Sequence, residues 1–237
     1  MKSTKQIVFI IGMLFLIGAY TLSQAQDEGD KNLITQERLL PPFHSVDAGG
    51  AVNVILQTGP VQVVKVEANE ILLDKITTEV VNEVLKIWSN DFKISKGSKT
   101  LNVYVTALSL KKLTAHGATE VKGESLIETE EFVLDASGAS SVKINLDVNL
   151  LKTTVSGASD VILSGRAKTH LLSTSGAGSL NAKSLVTEDA EYMAEGASDV
   201  FLNVTKNLNG ESKGASDVRY VGNPVTHALT RTISEED

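Results

Sequence analysis

From residue 113 onward, apolar side chains recur at alternate positions in short runs, and the runs themselves recur. Val121, Val142, Val161, Leu180, Val200 and Val218 each stand four residues after a glycine; two further on lie Gly123, Ile144, Leu163, Ala182, Leu202 and Tyr220. A spacing of two puts both positions on one face of a β-strand. Before each glycine lies a second alternating pair: Leu113/Ala115, Leu134/Ala136, Thr153/Val155, Leu172/Thr174 and Tyr192/Ala194. The glycines are Gly117, Gly138, Gly157, Gly176, Gly196 and Gly214, separated by 21, 19, 19, 20 and 18 residues, and each is followed by alanine. Glycine permits a backbone bend that other residues resist, and alanine fits where a larger side chain would not.

Short strands and a tight corner in about 20 residues describe one coil of a solenoid, since a repeat unable to bury its own apolar face must stack on its neighbours. The predicted fold is all-β: a right-handed parallel β-helix (β-solenoid) over residues 111–225, its hand taken from the family resemblance below. The valine column would run up the inside as an aliphatic ladder. Ser140, Ser159, Ser198 and Ser216 would stack as a second ladder, hydrogen-bonded along the axis. A β-sandwich of hairpins also suits short, evenly spaced strands, but the same motif in every repeat favours the solenoid.

The preceding segment, 41–110, is β-rich but irregular. Val52–Leu56, Val61–Val66 and Leu101–Val105 have strand composition, with Thr58-Gly59-Pro60 as a turn. Residues 71–87 predict two strands joined near Asn82-Glu83, after one helical turn at Glu70–Lys75, and 90–98 read as a polar loop. Residues 26–40 read as a flexible linker and 226–237 as a tail.

Lys2 and Lys5, an apolar run from Ile7 to about Leu22, and Ser23-Gln24-Ala25 have the form of a secretory signal over residues 1–25. The chain is therefore expected to be exported to the periplasm or cell surface of a Gram-negative bacterium, with no integral membrane segment after signal removal. It has no cysteine, so packing and hydrogen bonds alone must hold it together. The formal charge is −7, from 22 basic and 29 acidic residues; loss of Lys2 and Lys5 leaves 20 against 29, or −9. Such a surface disfavours nucleic acid.

One outward column invites a test for chemistry: Glu120, Ser141, Asp160, Ser179, Asp199 and Asp217 occupy equivalent positions. Stacked carboxylates could bind calcium or act as an acid/base pair on polysaccharide, the route by which the chain would be a carbohydrate-active enzyme. Aspartate after serine at a corner is also ordinary turn chemistry, capping backbone N–H groups, and that reading is preferred. His44, His116, His170 and His227 fall in separate places and read as surface or packing residues. Trp88, the single tryptophan, stands with Phe92 and Tyr104 as the nearest thing to an aromatic platform for sugar, although covering the solenoid end is the preferred role. No cofactor or catalytic set is indicated.

Phe43-His44-Ser45-Val46-Asp47, Ala51–Leu56, Leu85-Lys86-Ile87 and the repeated Gly-Ala-Ser-Asp-Val resemble the putative auto-transporter adhesin "head GIN" domain, common in Bacteroidetes-type bacteria. The resemblance covers residues 41–225. It implies a right-handed β-helix-like fold, export and an adhesin role, with a surface glycan or protein as partner, and carries no catalytic residues. Only 13 residues follow Pro224, so no fused membrane barrel is expected. A non-enzymatic adhesin or envelope-structural module is the leading expectation; a periplasmic envelope-stress scaffold fits the same features. Oligomeric state is not legible.

Overall fold

The computed structural model describes residues 33–89, 101–230 and 233–234; the segments read from sequence as a secretory signal and a polar loop, with Phe92, lie outside them. In chain order the elements are β1 (Leu33–Arg38), β2 (Ser45–Gly49), β3 (Asn53–Thr58), β4 (Val63–Asn69), α1 (Glu70–Leu73), β5 (Ile76–Val81), β6 (Val84–Ser89) and β7 (Leu101–Ala107). They continue as β8 (Lys112–Ala115), β9 (Glu120–Ala136), β10 (Ser141–Gly157), β11 (Asp160–Gly176), β12 (Ser179–Ala194) and β13 (Asp199–Ser212), then β14 (Asp217–Val221), β15 (Val225–Thr230) and β16 (Ile233–Ser234). About 74% of the structure is strand, wound as a β-solenoid of about 6 turns and ~19-residue coils. The solenoid, rather than a sandwich of hairpins, is the fold.

Parallel pairing in register makes the stack. Val142 lies opposite Val121 and Val161, Val161 opposite Leu180, Leu180 opposite Val200, and Val200 opposite Val218. The ladder does not begin at Val121: Val54 pairs with it, and Val103 pairs with Val54. All eight side chains are buried. Each contributes roughly 1.5–3 kcal/mol of apolar burial, so the ladder is a main source of stability.

The corner is equally regular. Gly117, Gly138, Gly157, Gly176, Gly196 and Gly214 all have positive φ, as does Gly50, which begins the column. A Cβ on Gly157 would stand 2.6 Å from the carbonyl oxygen of Gly138. Each alanine N–H donates to the glycine carbonyl one coil back, as from Ala158 to Gly138 and Ala177 to Gly157 (both 2.8 Å). Length differences between coils fall elsewhere, in the register shifts at Lys143/Asn145 and Asn181/Val186, which leaves the corner unchanged from coil to coil.

The hydroxyl ladder is mostly local rather than axial. Ser140 Oγ donates to Ser159 Oγ (3.2 Å), but Thr119, Ser159, Ser198 and Ser216 each donate to the carbonyl three residues upstream. They close the corner from inside and satisfy a carbonyl in each of those four turns. At Gly178 the column has no side chain, because a Cβ there would lie 2.5 Å from Ser159 O.

The irregular N-terminal part joins the same stack out of chain order. β2 lies between β6 and β8, and β3 lies between β7 and β9. Residues 84–89 and 101–107 therefore sit outside residues 45–58, which sit against 112–123. Antiparallel strands close this end: β4 on β7, β1 on β4, and β5 on β6. Residues 33–38, read from sequence as linker, are the strand β1, paired in register from Leu33↔Asn69 to Arg38↔Val64. Residues 225–230, overlapping the predicted tail, form β15 on β13. The β5–β6 turn is Asn82-Glu83, both with positive φ, a primed-type turn suited to a two-residue hairpin. Asn69 caps α1 by accepting from Ile71 N–H (3.3 Å).

Candidate functional site

The outward faces of the strands after the corner carry the acidic column. In register order it runs Asn53, Glu120, Ser141, Asp160, Ser179, Asp199, Asp217. Asp199 and Asp217 are direct cross-coil neighbours, whereas Ser179 separates them from Asp160. Ser179 Oγ donates to Asp160 Oδ1 (2.7 Å), and Asp217 Oδ2 accepts from Arg219 Nε (3.1 Å) and Nη2 (2.6 Å). Corner capping falls to the inward hydroxyls, not to these carboxylates, because each aspartate is already the first strand residue and points outward. Ser179, Asn181, Asp199, Phe201, Asp217 and Arg219 border a shallow depression of about 220 Å³. No group of three or more His, Cys, Asp or Glu among the described residues could hold a metal ion.

A second constellation forms on the opposite side of the corner, near the closed end. Leu85 and Ile87 of β6 point inward and are buried, so the alternation turns Trp88 outward. Trp88 pairs with Gly49 of β2, and the neighbouring residue Ala48 pairs with Ala115, which precedes His116. The glycine between the two rings matters. A Cβ on Gly49 would lie 2.1 Å from the imidazole and 2.5 Å from the indole. Without one, the rings come to 5.0 Å between centroids, inclined at 38°. His116 Nε2 is 3.1 Å from Asp47 Oδ1, which fixes the ring orientation. Thr77 of β5 lies opposite Trp88, and Glu79 opposite Lys86. Together these side chains border a depression of about 350 Å³. Trp88 thus occupies the flank; the end is covered by β1, β4 and β5, with Phe43, Leu72, Leu73 and Ile76 buried in the core.

Sequence reading left His116 an isolated residue. The signal was present, since Gly50-Ala51-Val52-Asn53-Val54 is one more copy of the corner motif. Aligning Gly50 with Gly117 places Gly49 beside His116 and Asp47 beside Thr114.

Family comparison accords with this architecture. A family model described as "putative auto-transporter adhesin, head GIN domain" matches residues 42–224. The chain belongs to this family. The head GIN domain also superimposes on solved structures. One, described as a putative adhesin from Bacteroides fragilis NCTC 9343, has 22% identity and a TM-score of 0.80, covering 86% of this chain and 95% of that one. A putative adhesin from Parabacteroides distasonis ATCC 8503 has 17% identity, TM-score 0.70, and coverage of 88% and 98%. A protein from the same organism described as a putative lipid binding protein has 16% identity, TM-score 0.65, and coverage of 86% and 95%. At these identities the likeness is one of fold. No curated protein matches the sequence.

One further histidine of this head GIN domain is internal. His170, opposite Leu151 and Ala190, is buried, with Nε2 3.0 Å from Thr153 Oγ1. Burial pushes its pKa down from 6.5 to about 4. The unfolded chain therefore binds more protons between these values, so stability is complete above pH ~6.5 and falls as pH drops toward 4. The loss is about 2 kcal/mol by pH 5. Urea titrations at pH 7.5 and pH 5 should show it, and His170→Leu should flatten the difference; an unchanged difference in that variant would place the titrating group elsewhere.

Proposed function

We propose that the protein is exported and serves as a non-catalytic binding module of the cell envelope, a rigid solenoid that displays side chains on its flanks. One observation carries the reading: the inward ladder from Val103 to Val218 is continuous through eight strands. It fixes the outward residues of successive coils in columns, each residue about 4.8 Å from the next one up the column, a preorganised surface that loses little entropy on contact. The adhesin description of the family supports the same reading. The partner class it fits is a surface glycan or protein. The bonds from Ser179 to Asp160 and from Arg219 to Asp217 support a structural surface ladder over the alternative of an acid/base pair that cuts polysaccharide.

The test is labelling of intact cells with a membrane-impermeant amine reagent, since Lys122 and Lys143 are exposed. Modification of both on intact cells is expected. Modification only after the outer membrane is opened would replace the adhesin with a periplasmic scaffold.

A further inference from the structure

We infer that β1 is a docking edge for a second copy of this chain, which adds its own β1 antiparallel across a two-fold axis so that one sheet runs through both molecules. The inference is independent of the binding-module reading. β1 pairs with β4 on one side, and among the described residues no strand takes its other edge. That edge is a row of N–H and C=O groups, a template for one more strand. Natural edges are usually blunted by proline, lysine or a bulge. β1 carries none of these over Leu33–Arg38, and its register on β4 is unbroken from Leu33↔Asn69 to Arg38↔Val64. Its two charged residues have counterparts in their own molecule: Glu37 lies opposite Lys65, and Arg38 Nη2 donates to Leu73 O (3.0 Å).

The apolar side chains here lack a cover. Leu39, directly after the strand, is 93% exposed, and Leu33 and Ile34 are 41% and 40% exposed. Folding of a single copy leaves them in water, whereas an added strand shields them. Pro41-Pro42 then ends the pairing, because proline has no N–H to give.

A second copy fits because the segment is complementary to itself. Ile34, Gln36 and Arg38 share a face with buried Ala68, Val66 and Val64, and Leu33, Thr35 and Glu37 lie on the other. A two-fold axis normal to the sheet preserves these faces, so each residue meets one an even number of positions away, or itself. Centred on Gln36, the axis sets Leu33 against Leu39, Ile34 against the aliphatic stem of Arg38, and Thr35 against Glu37. The Thr35 hydroxyl can donate to Glu37, the two Gln36 amides meet on the axis, and no like charges are opposed. Moving the axis to Glu37 opposes two carboxylates, and moving it to Thr35 puts Leu33 against Glu37. The Gln36 register alone engages the whole segment 33–39. Two strands of this length bury less than the roughly 1,200 Å² of a standard interface, so association is expected in the micromolar range. The two copies then point their far ends in opposite directions, with the outward columns of both on one continuous face.

Sedimentation equilibrium of the purified protein from about 1 to 200 µM should show the mass rising from one copy to two. Leu33→Glu/Leu39→Glu opposes carboxylates across the axis and should weaken the dimer at least tenfold, with the wild-type Tm kept because both positions are exposed. Leu33→Lys/Leu39→Glu opposes unlike charges and should restore it. Gln36→Cys, on the axis of a chain that has no cysteine, should oxidise to a covalent dimer. Thr35→Cys should not, because its two thiols stand diagonally, beyond disulfide reach. Val225→Glu, near the other end of the solenoid, should leave the mass unchanged. A protein that stays monomeric throughout overturns the inference and leaves the binding-module reading intact. A dimer indifferent to Leu33→Glu/Leu39→Glu, or broken by Val225→Glu, overturns the assignment to β1. Equal oxidation of Thr35→Cys and Gln36→Cys overturns the two-fold register.

Discussion

Val161→Asp is expected to destabilise the solenoid severely. Val161 is fully buried, between Val142 and Leu180 in the inward ladder. Its neighbours offer a carboxylate only aliphatic surface. Leaving an unpaired charge there costs about 3–5 kcal/mol, a large share of the roughly 5–15 kcal/mol that stabilises a typical domain. For a chain of this size that corresponds to a fall in Tm of about 10 °C or more. The control is one residue away. Ile162 faces outward and is 44% exposed, so Ile162→Asp should change stability by no more than about 1 kcal/mol. Thermal melts followed by circular dichroism would decide it. A normal melt for Val161→Asp, or equal damage from both, would show that the two-residue alternation does not divide inside from outside here.

Gly157→Ala should be nearly as damaging, for a different reason. Gly157 has φ +74°, and an added Cβ would lie 2.6 Å from Gly138 O and 3.0 Å from Gly138 N. The left-handed backbone alone costs an L-residue roughly 1–2 kcal/mol. The steric conflict is with backbone, which cannot rotate away, so one coil must lift from the next. That strains the bond from Ala158 N to Gly138 O and the one from Ala177 N to Gly157 O. A total loss of about 3 kcal/mol or more follows, putting the substitution among the severe ones. Ala158→Ser, at an exposed position in the same corner, should fall within about 0.5 kcal/mol of wild type. Comparable urea midpoints for Gly157→Ala and Ala158→Ser would show that the stack has slack at its corner.

Much of this is local and therefore legible in the chain. Val121, Val142, Val161, Leu180, Val200 and Val218 announce an inward column because strand side chains alternate and each coil repeats the alternation. The six glycines announce a corner because few other residues accept its backbone. The helical turn after Asn69 and the hairpin at Asn82-Glu83 are likewise settled by short-range capping and turn geometry.

What the sequence by itself determined is thus the coil: its period, its inner face and its corner. The tertiary structure alone decided how coils without the full motif enter the stack. Placing β2 between β6 and β8, and β3 between β7 and β9, depends on hydrogen bonds between segments far apart in the chain, and no local periodicity encodes a partner. The same holds for β1, whose exposed side chains carry no inward pattern and whose strand exists because β4 offers an open edge. The Trp88–His116 ring pair depends on the same placement. These residues are 28 positions apart and meet only because Gly49, from a third segment, lies between them with no side chain to hold them apart.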